Sequence, residues 1–101
     1  RWNIPPDVEA AVAARDPTCV YCGIDFAATP ESPGTRPSWE HIINDLGLVS
    51  LDNIARCCVS CNASKGAREL RIWLDSEYCK ARGIRADTVA PVVRAVLNRS
   101  S

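Results

Sequence analysis

Neither sign of charge is in excess in this chain, whose 101 residues carry twelve Lys and Arg against twelve Asp and Glu. That balance excludes a protein whose whole surface attracts nucleic acid, so any such contact needs a local basic patch. Long apolar runs are missing too. Nothing approaches the roughly 20 residues of a membrane-spanning helix, and no charged-then-apolar leader stands at the N-terminus. A soluble, cytoplasmic protein with no membrane partner is the expectation. Internal repeats and low-complexity segments are absent, and there is a single histidine, His41. A second domain is excluded by length, because one core needs about this many residues to bury most of its apolar surface.

What the chain has in quantity is apolar residues, at 47%, and six cysteines. The first rules out a disordered tail, and the second is a large number for so short a chain. Pro5-Pro6-Asp7 followed by Val8, Ala11 and Val12 predicts a helix over about 7–15, stopped by Asp16-Pro17. The stretch from Ala27 to Pro37 holds three prolines and a glycine without periodicity, and reads as an exposed loop. It leads to a strand near Ser38 to Ile43, whose expected partner runs from Leu51 to Cys57. Leu70, Trp73, Leu74, Tyr78 and Ala81 recur at helical spacing and stop at Gly83, which predicts a helix over about 67–82. Asp87 starts another, with Val89, Val92, Val93, Val96 and Leu97 in one apolar stripe and Pro91 in its first turn. Trp39 and Trp73 are expected in the core. Between Arg56 and Arg85 the chain is locally basic, a patch for phosphates or simply a solvated helix face.

Two CxxC pairs, Cys19-Val20-Tyr21-Cys22 and Cys58-Val59-Ser60-Cys61, can each present two thiolates from a tight turn to one tetrahedral Zn²⁺. Disulfide or redox roles are the alternatives, and a reducing compartment favours the metal. A closed shell of four sulfurs leaves no open position, so such a zinc would be structural. Only Cys58 keeps the two-residue gap to Cys61, which leaves Cys57 as a buried strand residue. Cys79, on a helix away from both pairs, reads as a small apolar side chain.

Thirty-five residues lie between Cys22 and Cys58, well beyond the ~15 to 20 of a plain four-cysteine ribbon. The insert carries Glu40-His41, and Asn53 follows twelve residues later; Asn62 comes directly after the last paired cysteine in Cys61-Asn62-Ala63-Ser64-Lys65-Gly66. This order resembles the HNH endonuclease family over about residues 15–74: a CxxC pair, an acidic-His dipeptide on a strand, a central Asn, then a second CxxC pair running into Asn-x-x-Lys-Gly. The chain departs from that pattern in having Glu40 where Asp is commoner, and in a shorter stretch from His41 to Asn53. Asp45 in that stretch is expected in a turn, with metal binding as the alternative.

The resemblance implies an α+β fold: one domain over residues 1–101, with a small ββα-metal (His-Me finger) core, a structural four-cysteine zinc site and flanking helices over about 67–99. It implies hydrolysis of phosphodiesters in DNA, most simply double-stranded, with His41 as general base and Asn53 fixing the loop that orients it. Glu40 and Asn62 would hold a catalytic Mg²⁺ or Mn²⁺, since oxygen donors suit hard cations. Lys65 and Arg68 would contact phosphates, and the protein would act as a monomer or homodimer. A neutral imidazole can accept a proton from water near neutral pH, which is the chemistry such a base requires. A different class of function, a noncatalytic zinc module that binds nucleic acid or protein, treats His41 and Asn62 as structural. A zinc hydrolase or deaminase is disfavoured, because four thiolates leave no open zinc position and no His-x-Glu element is present.

Overall fold

The computed structural model describes residues 4–28, 32–45 and 47–99. Helix α1 spans Pro6–Arg15, with proline in its first turn, where the missing N–H is not needed, and Asp7 and Glu9 near its positive end. Of its expected apolar stripe only Val12 is buried; Val8 is half-buried and Ala11 exposed. Pro17 disfavours a helical conformation at Asp16, and α1 stops there. The buried Asp16 carboxylate then fastens the helix end, accepting from the Arg56 backbone N–H at 3.1 Å and from the Arg15 guanidinium at 2.7 and 2.8 Å.

Strands β1 (Pro37–His41) and β2 (Ile54–Cys58) form an antiparallel pair in which Pro37 faces Cys58, Trp39 faces Arg56 and His41 faces Ile54. Strand alternation puts Ser38 and Glu40 on one face, with Ala55 and Cys57, and Trp39 and His41 on the other. Both strands are shorter than the sequence suggests, and Asn53 accounts for this. Its side chain accepts from the Ile43 N–H at 2.7 Å and donates to the Ile43 and Leu48 carbonyls at 3.1 Å each. After a last backbone bond from the Ile42 N–H to the Asn53 carbonyl at 3.0 Å, the Ile43 backbone therefore pairs with a side chain instead of continuing the ladder. Within that loop Asp45 accepts from the Gly47 N–H at 3.0 Å, the turn role expected of it.

Helix α2 (Val59–Lys65) begins directly after β2 and ends at Gly66, whose φ of 51° only glycine adopts cheaply. The helix expected over 67–82 is two: α3 (Leu70–Leu74) and α4 (Glu77–Arg82). Ser76 divides them, because its hydroxyl caps α4 by accepting from the Cys79 N–H at 3.3 Å. Gly83 is left-handed at the end of α4, as its position predicts. Helix α5 (Pro91–Arg99) starts later than Asp87, since residues before it form a turn in which Thr88 Oγ1 accepts from the Arg85 N–H at 2.8 Å.

The core gathers Val89, Val93, Val96 and Leu97 with Trp73, Tyr21, Ala55 and the buried cysteines. Trp73 meets the Tyr21 ring edge-on at 4.8 Å and donates its indole N–H to Ser64 Oγ at 2.9 Å. Trp39 is not a core residue: it is half-buried, with the Arg56 guanidinium 5.9 Å from its ring. Among the described residues no helix is long and apolar enough to cross a membrane.

Replacing Asn53 by Ala should cost about 1–3 kcal/mol, since it removes three partly buried hydrogen bonds to the loop backbone. Urea unfolding measures this, and an unchanged midpoint would show that the clamp is dispensable.

Candidate functional site

The two cysteine turns are built alike. In the first, Gly23 takes a φ of 80° so that the chain reverses, and its N–H donates to the Cys19 carbonyl at 3.0 Å. In each turn the fourth residue's N–H points at the first sulfur: Cys22 donates to Cys19 Sγ and Cys61 to Cys58 Sγ, both at 3.4 Å. The sulfurs of Cys19, Cys22, Cys58 and Cys61 all lie within 4.8 Å of one another, and Cys22 and Cys58 are 3.8 Å apart. Tetrahedral zinc with Zn–S bonds of about 2.3 Å spaces its sulfurs by about 3.8 Å, so the cluster can hold a metal ion such as Zn²⁺. The electrostatics agree. Hydrogen bonds from Cys22, Cys58 and Cys61 hold the Cys19 thiol far below its usual range, while those with Cys19, Cys22 and Cys58 push Cys61 far above. Four sulfurs this close cannot share negative charge without a cation.

Cys57 and Cys79 stand apart from the cluster, fully buried, and burial pushes both thiols up. Neither has the thiolate character that metal binding or reactivity requires, in keeping with the packing roles expected of them.

The second group lies where α2 crosses β1. Asn62 donates its amide to Ser38 Oγ at 3.0 Å and to the Trp39 carbonyl at 3.2 Å. One turn later Lys65 places its ammonium 3.0 Å from Glu40 Oε2 and 3.5 Å from the His41 carbonyl. Tyr21, from inside the first cysteine turn, donates its hydroxyl to the same Glu40 oxygen at 2.6 Å. Glu40 is 3% exposed, and burial raises its pKa, opposed by Lys65 and by the Tyr21 hydrogen bond. His41 is also 3% exposed. Burial lowers its pKa below 6.5, Lys65 adding to the effect and Asp45 opposing it, so the imidazole is kept neutral.

The sequence reading and the structure part company at Lys65. Expected as a phosphate contact, it is 1% exposed and committed to Glu40, because α2 turns this position onto the strand. Arg68 lies past the helix in an exposed turn, its N–H donating to the Lys65 carbonyl at 2.9 Å. Glu40 and Asn62 are brought to one crossing, yet Asn62 turns its nitrogen, not its oxygen, to the strand. Their oxygens suit a hard divalent cation in kind, and the place beside Glu40 does hold a positive charge, that of Lys65. Tyr21 went unnoticed in the sequence because its partner is nineteen residues away and no spacing rule links them.

One zinc per chain is expected by elemental analysis. Cys58→Ser should lose it and unfold, whereas Cys57→Ser should keep it. The reverse pattern would move the ligand assignment to Cys57.

No family model matches this chain, and no curated protein or solved structure does either.

Proposed function

We propose that this chain is a zinc-stapled endonuclease domain of the HNH type, hydrolysing phosphodiester bonds in DNA. The observation that carries the reading is the crossing of α2 over the end of β1, where Asn62 donates to the Trp39 carbonyl and Lys65 reaches the Glu40 carboxylate and the His41 carbonyl. The succession β1, β2, α2 then serves as a ββα core, with the four-cysteine cluster holding a structural zinc beneath it.

In this reading neutral His41 removes a proton from the attacking water, the 3′ oxygen leaves, and the products carry 5′-phosphate and 3′-hydroxyl ends. Burial keeps the imidazole in the required form. Asn53 acts on position, tying the backbone two residues beyond the base. Mg²⁺ or Mn²⁺ held by Glu40 and Asn62 would supply positive charge to the phosphate and the departing oxygen. Arg68, exposed beside α2, is the phosphate contact that remains once Lys65 is assigned to Glu40. His41 is 3% exposed, so DNA reaches it only where the chain around it gives way. One such site nicks one strand, so a double-strand cut needs two successive nicks or a dimer.

A second reading, a noncatalytic zinc module for nucleic acid or protein, draws support from one observation: His41 and Lys65 are sealed from solvent. Supercoiled-plasmid cleavage with Mg²⁺ or Mn²⁺ separates the two. His41→Ala should keep zinc, fold and DNA affinity but lose at least about 10²-fold in rate. Because only the unprotonated imidazole is competent, the wild-type rate should fall with decreasing pH at a midpoint below 6.5. A folded His41→Ala protein that cuts as fast as wild type, or a zinc-loaded wild type that does not cut, leaves the noncatalytic module.

A further inference from the structure

We infer that the cleft between α3, α4 and the start and end of the segment leading through α5 seats the phosphate backbone of DNA. The inference rests on the reading of DNA as the partner, and not on its cleavage. A solvated helix face spreads its cations, whereas here three separate elements bring theirs together. Arg71 of α3, Lys80 of α4 and Arg85 of the turn before α5 line one cleft of about 620 Å³, with Asp75 as the acidic residue among them. Buried Ile84 and Leu97 supply its apolar lining. The fold causes this convergence. Ser76 breaks the chain into α3 and α4, and left-handed Gly83 then turns it back, so that the Ile84 N–H donates to the Cys79 carbonyl at 2.9 Å and Arg85 comes to the cleft.

The cations are placed to meet phosphates. Arg71 Nη2 donates to the Leu97 carbonyl, which holds the guanidinium at the wall of the cleft. The Lys80 side chain makes no hydrogen bond or ion pair among the described residues. Arg85 pairs with Asp87 at 3.0 Å, but the two side chains are 63% and 75% exposed, and a pair so open to water is weak enough to yield to a phosphate. Guanidinium groups grip phosphate oxygens as a fork, and an ammonium serves as a point charge beside them. A second hollow, of about 250 Å³, shares Arg71 and Leu97 with the cleft and continues along Ile42, Ile43 and Asn44, the residues that follow His41. Glu69 stands in that hollow, so the run of positive charge ends at Arg71. A strand whose phosphates lie on Lys80, Arg85 and Arg71 is thereby directed at the chain next to the proposed base. Backbone contacts of this kind position DNA without reading its bases.

The test titrates a fluorescently labelled DNA duplex with zinc-loaded protein, without added Mg²⁺ or Mn²⁺, and follows anisotropy over a series of salt concentrations. Lys80→Gln and Arg85→Gln should each weaken binding equally on unrelated duplex sequences, and each should lower the slope of log affinity against log salt by about 0.9, the value of one phosphate contact. Both residues are exposed, so the variants keep the fold, which thermal unfolding checks. Arg94→Gln removes an exposed cation of α5 that does not line the cleft, and should leave the slope unchanged. Asp75→Asn should tighten binding by about twofold or more, a direction that lost packing does not produce. DNA binding in which the Lys80 and Arg85 variants behave as Arg94→Gln does, or in which folded Asp75→Asn binds more weakly, overturns the cleft and leaves DNA as the partner. Wild-type protein that binds no duplex at low salt overturns both.

Discussion

Four sulfurs drawn from two distant turns must meet within 4.8 Å, and almost every other feature of the domain is arranged around that meeting. Cys19 and Cys22 come from a reversal after α1, Cys58 and Cys61 from the passage of β2 into α2. Thiols so crowded push one another's ionisation in opposite directions, and a cation bound among them would relieve that conflict and tie the two parts of the chain together. The insert between the turns is thereby closed into a loop at low conformational freedom. Its strands need only a two-stranded ladder to hold, because the cluster and α1 brace one end and Asn53 the other.

The cluster also reaches the second site directly. Tyr21 lies between two of its cysteines, packs against Trp73 and touches Glu40. Cys58 closes β2, caps α2 by accepting from the Cys61 N–H, and contributes a sulfur. The elements bearing Glu40, Asn62 and Lys65 are thus referred to one origin, which is how a domain with little core can place side chains to within hydrogen-bond tolerance.

Features encoded by neighbours in sequence were legible: the CxxC turns, the proline start of α1, the Gly83 cap and the apolar stripe of α5. Those decided by competition with distant groups were not. Periodicity from Leu70 to Ala81 is real, but Ser76 gains a cap by breaking the helix, and a stripe does not show the break. His41 to Ile43 reads as continuous strand until Asn53 claims the Ile43 backbone. Lys65 is the instructive case. A lysine beside a glycine at a helix end suggests solvent or phosphate, and only the crossing of α2 over β1 reveals a buried carboxylate within 3.0 Å. Glu40 and Asn62 are brought to one crossing of strand and helix, but the burial of Glu40 and His41 was not legible in their order along the chain.

The junction of β2 and α2 contains no linker: residue 58 ends the strand and residue 59 opens the helix. A helix advances about 100° per residue, so the phase of α2 is set by the strand's last peptide with no slack to absorb a change. One residue gained or lost there would rotate Asn62 and Lys65 off the strand together while leaving the composition of the domain intact. Chain length at this point is therefore a constraint as strict as the identity of any side chain, whereas the opposite end of the hairpin, closed by a turn and one asparagine, can vary in length provided position 53 still reaches the backbone after His41.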